Sequence, residues 1–133
     1  MNIEKIIDKV TTETIIKLKK SGLIKNSKKT TFEKTEELLR NYNDYLKAIK
    51  IDSKKTIKTQ KLVNKINQAL KTIENDPYYS VIEMIFFENK TREEIAEFYD
   101  VEVKTISRNK NRLVNKLKII IFSDETIMEI FNF

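Results

Sequence analysis

Four polar side chains late in the chain, Lys104, Arg108, Asn111 and Asn115, recur at intervals of four, three and four residues, with Thr105 and Arg112 beside them. On a helix that turns about 100° per residue this spacing sets the four in one line, opposite the inward direction marked by Ile106. Their chemistry is that of base and phosphate recognition. Arg can bond guanine through two parallel donors, Asn can do the same for adenine, Thr can meet a thymine methyl and Lys can hold phosphate. A helix face that is merely solvated more often mixes Glu among its Lys.

Other chemistries are poorly served. The 133 residues include no His and no Cys, which removes the commonest general base, the commonest metal ligand and every thiolate or disulfide. There is no Gly-rich phosphate loop, and acid pairs such as Glu93 and Glu94 are adjacent on a helix and diverge. The expectation is therefore a protein that is not an enzyme and uses no cofactor and no metal.

The elements that must position the stripe are helical. One Gly and one Pro in the whole chain leave too few turn residues for a β-rich fold, so an all-α fold is expected. The formal charge of +6 is unevenly distributed. Residues 77–100 hold two basic and six acidic side chains (net −4), whereas residues 101–122 hold six basic and one acidic (net +5). A basic segment can neutralise phosphates, and an acidic neighbour can support it from behind or face a protein partner.

In chain order, Ile3, Ile6, Ile7, Val10, Thr14 and Leu18 mark a first amphipathic helix closed by Gly22, followed by a basic linker over residues 25–30. Thr30 and Glu33 have capping-box spacing and open a second helix, with Leu38, Leu39, Tyr42, Tyr45, Leu46 and Ile49 inward. After a break at residues 51–53, Leu62, Val63, Ile66, Leu70 and Ile73 line a third helix. The second and third are expected to form a long hairpin. Asp76 before Pro77 signals a new start, and the chain divides there into an N-terminal helical region, residues 1–75, and a second unit, residues 76–133.

In that second unit Val81, Ile82, Ile85 and Phe86 supply a core, and Thr91 with Glu94 forms another capping box. Asp100 and Val101 make a turn, where Asp tolerates left-handed dihedrals better than most residues. Ile95, Tyr99, Val101 and Ile106 form the common core of two short helices crossing around that turn, with the small Ala96 at their closest approach. Ser123 caps a short closing helix carrying Ile127, Met128, Ile130, Phe131 and Phe133.

TREEIAEFYDVEVKTISRNKNRLVNKL, residues 91–117, resembles the helix-turn-helix of sigma-70 region 4. With FEKTEELLRNYNDYLKAI before it, the chain is similar over residues 32–117 to the ArpU- and RinA-like phage late-gene regulators of Gram-positive bacteria. The resemblance implies a recognition helix in the major groove and control of phage or prophage late operons, with Lys104, Thr105, Arg108 and Arg112 facing the groove. Glu102 departs from the pattern, which usually has a capping Ser there. Its charge suits a helix N-terminus and repels a nearby phosphate.

The expected partners are double-stranded DNA, RNA polymerase by the example of region 4, and a second copy of the chain, because paired half-sites supply the specificity that one recognition helix lacks. A helical structural or adaptor protein, such as a phage packaging component, is the competing reading. A cytoplasmic location is expected, since neither a signal peptide nor an apolar run of membrane-spanning length is visible. Lys25, Lys28, Lys29 and Lys54, Lys55, Lys58, Lys61 read as solvated runs, and Tyr42, Tyr45, Tyr78 and Tyr79 as core or interface residues before base-stacking ones.

Overall fold

The computed structural model describes residues 29–123. The helix expected to end at Gly22, most of the linker after it and the closing helix beyond Ser123 lie outside these residues. Every regular element described is helical, as composition predicted: α1 (Thr31–Arg40), α2 (Tyr42–Ile51), α3 (Ile57–Ile73), α4 (Tyr79–Ile82) running into a π-helical segment (Glu83–Phe87), α5 (Arg92–Tyr99) and α6 (Val103–Ile121). None of the described helices is long and apolar enough to cross a membrane.

The Thr30 capping box forms as its spacing required: the Thr30 hydroxyl accepts the Glu33 amide at 3.1 Å, and the Glu33 carboxylate accepts the Thr30 amide at 3.4 Å. The single helix expected from there through Ile49 is instead interrupted at one residue. Asn41, at φ −90° and ψ 1°, separates α1 from α2, although Asn41 N–H still donates to Glu37 O and Tyr45 N–H to Asn41 O. Within α2 Tyr45 and Ala48 are buried, while Leu46, expected in the core, is 41% exposed. Asp52 then stops α2, its carboxylate taking the amides of Lys54 and Lys55 in an Asx turn.

Asp76 also behaves as a capping residue, accepting the Tyr78 amide at 2.9 Å. Regular α-helix nevertheless begins two residues after Pro77, because tight bonds from Tyr79 N–H to Asp76 O and from Val81 N–H to Tyr78 O occupy the first turn. The helix widens into the π segment, closed by Glu88 N–H donating to Glu83 O at 3.0 Å.

Two apolar clusters hold the helices. The larger joins Leu38, Leu39 and Tyr45, the α3 face Leu62, Val63, Ile66, Leu70 and Ile73, then Ile82, Phe86 and the α6 residues Leu113, Val114, Leu117 and Ile121. It spans both sides of Asp76, so α1 and α3 also pack their inner faces against α6, while α2 packs on α3. The smaller cluster is Val81, Met84, Ile95, Ala96 and Ile106. Each fully buried Leu or Ile contributes about 1.5–3 kcal/mol relative to exposure. The larger cluster thus anchors the second half of α6, and the smaller one underlies its first half.

Candidate nucleic-acid interface

The first half of α6 is presented by α5 and one tight turn. Thr91 and Glu94 make the expected capping box, with the Glu94 amide 3.2 Å from the Thr91 hydroxyl. Ile95 and Ala96 are buried on the inner face of α5, while Glu93, Glu94, Glu97 and Phe98 are exposed. The helix ends at Asp100, at φ 55° and ψ 50°, the left-handed region that Asp tolerates. Asp100 N–H donates to Glu97 O and Val101 N–H reaches back to Ala96 O at 3.0 Å, the paired bonds of a Schellman closure. Val101 packs on the small cluster beside Ala96, supplying the hydrophobic contact that accompanies such a cap.

Two residues later α6 begins. Glu102 is its N-cap by backbone geometry, but its side chain caps nothing and lies 3.3 Å from the Lys104 ammonium, both groups 73% exposed. Ile106 is wholly buried and fixes the inward direction. Lys104, Arg108, Asn111 and Asn115 are all exposed, as their spacing predicted, and Thr105 lies half-buried on the flank. The 19 residues of α6 contain no Asp or Glu. The structure therefore brings four of the expected residues into one line of hydrogen-bonding side chains on a wholly non-acidic helix.

Arg112 is different. Expected to face a groove, its guanidinium instead grips Asp76 through Nη1 to Oδ2 at 2.7 Å and Nη2 to Oδ1 at 2.9 Å. Nε and Nη2 also donate to Asn109 Oδ1 at 3.2 and 3.1 Å, and Asn109 Nδ2 donates to Thr105 O at 2.9 Å. The paired guanidinium holds the Asp76 carboxyl well below the usual carboxylate range, at about 2, while Asp76 pushes the Arg112 guanidinium upward. Most of the donors of Arg112 are thus engaged within the protein.

Lys110, one of the six basic residues of 101–122, is buried. Its ammonium lies 2.6 Å from the Glu36 carboxylate of α1 and 5.4 Å above the Phe32 ring. The signal for this was present in the spacing: Lys110 stands four residues after Ile106 and three before Leu113, on the apolar line of the helix. A lysine there needs a buried acid.

The tyrosines are occupied within the fold. Tyr45 is buried, the Tyr42 hydroxyl donates to Asn67 Oδ1 at 2.6 Å, and the Tyr78 ring stacks on Tyr99 at 5.0 Å. Burial, with Glu83 and Glu74 nearby, pushes the Tyr79 hydroxyl upward. Of the lysine runs, Lys29 pairs with Glu37 at 3.0 Å, and Lys54, Lys58 and Lys61 lie on the surface around the start of α3. Compared with known proteins, the chain matches no family model, and no curated protein or solved structure matches it significantly.

Proposed function

We propose that this chain is a sequence-specific double-stranded DNA-binding regulator of transcription, of the kind that controls phage or prophage late genes. In this reading α5, its turn and α6 form the sigma-70 region 4-like helix-turn-helix, and α6 enters the major groove. Arg108 reads a base through its fork, Asn111 and Asn115 read others, Thr105 contacts a methyl group and Lys104 holds a phosphate. The observation that carries the reading is the line Lys104, Arg108, Asn111, Asn115 exposed on a helix with no acid. The acidic outer face of α5 does not suit phosphate and is available to a protein partner, with RNA polymerase the one the resemblance suggests.

Replacing Arg108 tests the proposal most directly, because the side chain is exposed and its loss leaves the core intact. With a duplex enriched from a random-sequence library by the wild-type chain, Arg108→Ala is expected to cost about 1–3 kcal/mol of binding and to relax preference at one base position. Unchanged affinity and preference in a variant whose circular dichroism matches the wild type would overturn it.

Dimerisation through the region of residues 31–74 belongs to the same proposal. Its support is a set of exposed apolar side chains, Leu46 in the middle of α2, Ile51 at its end and Ile57 at the start of α3, which the monomer leaves 41%, 53% and 53% accessible. Light scattering that gave a monomer at every concentration, with and without DNA, would remove this part. The competing adaptor reading draws on Phe98, 66% exposed among the acids of α5. A stable protein partner together with no salt-sensitive DNA binding would favour it.

A further inference from the structure

A single turn before α4 is bonded to both helices of the unit just described. On one side, Asp76 takes the Arg112 guanidinium in the two-pronged bond given above, while its Oδ1 also accepts the Tyr78 amide at 2.9 Å. On the other, the Tyr78 ring stacks on Tyr99 with centroids 5.0 Å apart and planes 28° from parallel, and the Tyr99 hydroxyl donates to Pro77 O at 3.3 Å. Tyr99 is the last residue of α5 and Arg112 stands at the middle of α6. The turn thus grips the end of one helix and the centre of the next.

Besides this turn, the exposed line is backed by aliphatic contacts, Ile95, Ala96 and Ile106 under its first half and Leu113, Val114 and Leu117 under its second, and by the Lys110–Glu36 contact to α1. Aliphatic contacts are non-directional, and a lysine ammonium is a point charge, so neither fixes the plane of a partner group. Base reading is less tolerant, since donors must be held within about 10–20° of their working direction. A guanidinium fork on a carboxylate fixes distance and plane together, which a point charge cannot do. At a rise of about 1.5 Å per residue, Arg112 stands about 6 Å along the axis from Arg108 and about 12 Å from Lys104. Through Asn109 it is also tied to the carbonyl of Thr105.

We propose that the Asp76–Arg112 pair, with the Tyr78–Tyr99 stack, is the joint that sets the rotation of α6 and so the sequence preference of its exposed line. Arg112 is then a positioning residue and does not itself read DNA. This inference rests on the DNA-binding reading of the preceding subsection.

The test compares two duplexes of equal length, one enriched by the wild-type chain from a random library and one of random sequence, with full-length Asp76→Asn, Arg112→Gln, Arg112→Lys and the double variant Asp76→Asn/Arg112→Gln. Circular dichroism establishes folding. Asp76→Asn retains an oxygen for the Tyr78 amide, and Arg112→Lys retains the charge, so each removes the fork with little else. The expected result is a loss of about tenfold in the preference for the enriched duplex in every single variant, with no further loss in the double. Affinity for the random duplex and the salt dependence of binding should change little.

If Arg112 instead contacts DNA, Asp76→Asn frees it and holds or raises affinity. Arg112→Gln then weakens both duplexes and flattens the salt slope by about one phosphate. That pattern, or full preference in Arg112→Lys, overturns the joint and leaves the DNA-binding reading standing. A wild-type chain that enriches no duplex overturns that reading and the joint with it.

Discussion

Two lysines of α6, six residues apart, each meet a glutamate, and the two pairs have opposite consequences. Lys104 and Glu102 stand 3.3 Å apart with both side chains 73% exposed, whereas Lys110 and Glu36 approach to 2.6 Å with side chains 7% and 12% exposed. In water the first pair gains little, because solvent screens it and two long side chains must be held still. Away from water the second costs both partners their hydration, and neither can be removed without stranding the other. The same chemistry therefore leaves the first half of α6 with a charge that can change partners and gives its middle a fixed attachment to α1. One helix divides into a face offered outward and a body tied into the fold.

The largest effect that this contrast predicts is at Lys110. Lys110→Ala leaves the Glu36 carboxylate buried without its close partner, a loss of about 3–5 kcal/mol in such cases. The Arg40 guanidinium, 3.9 Å from the same carboxylate, offers some compensation, so the lower end of that range is expected. Lys104→Ala should cost no more than about 0.5 kcal/mol. Urea unfolding of the two variants decides the matter, and equal losses would dissolve the distinction between the halves. A double replacement, Lys110→Met with Glu36→Leu, should recover most of the stability, since well-packed apolar side chains often replace a buried pair without penalty.

Between the two extremes lies Asp76–Arg112, with side chains 15% and 39% exposed. The Asp76 carboxyl sits at about 2 in the fold against 3.8 ordinarily. As pH falls through 3.8 the unfolded chain takes up a proton that the folded chain does not, so unfolding is favoured. The contribution is complete above about pH 5 and is gone once the pH has dropped through about 2. A shift of this size corresponds to roughly 2 kcal/mol, and the half-exposed Arg112 reduces that to about 1–2. Asp76→Asn should therefore be less stable than the wild type by that amount at pH 7, with the gap closing between about pH 4 and pH 2. A gap that persisted unchanged to pH 2 would mean that the charge of Asp76 is not what the pair uses.

The features readable from the sequence are those written in short spacings. Both capping boxes, the left-handed Asp100, the inner face of α3 and the outward line on α6 each depend on residues within about three helical turns, and each stands where its spacing put it. Lys110 with Glu36 spans 74 positions and Arg112 with Asp76 spans 36, and no local pattern carries such pairings. Net charge is misleading for the same reason, because two of the six cations counted over residues 101–122 are engaged with internal carboxylates. The interruption at Asn41 was hidden by an apolar rhythm that continues through it. Leu46, adjacent to the buried Tyr45, is left 41% exposed, an outcome the same rhythm did not separate from burial.

The smallest prediction returns to the exposed pair and concerns Glu102. Its side chain leaves the first amides of α6 uncapped and stands beside the end that would approach phosphate. Glu102→Ser gives up a surface pair worth a few tenths of a kcal/mol and introduces a hydroxyl suited to the N-cap, so a net gain of about 0.5–1 kcal/mol is expected. In the DNA-binding reading the variant also binds duplex more tightly, by a factor that shrinks as salt is raised, because a carboxylate near phosphate has been removed. Loss of stability in urea would show that the Glu102–Lys104 contact contributes more than an exposed pair should, and Lys104 would then belong with Lys110 as a fixed part of the structure.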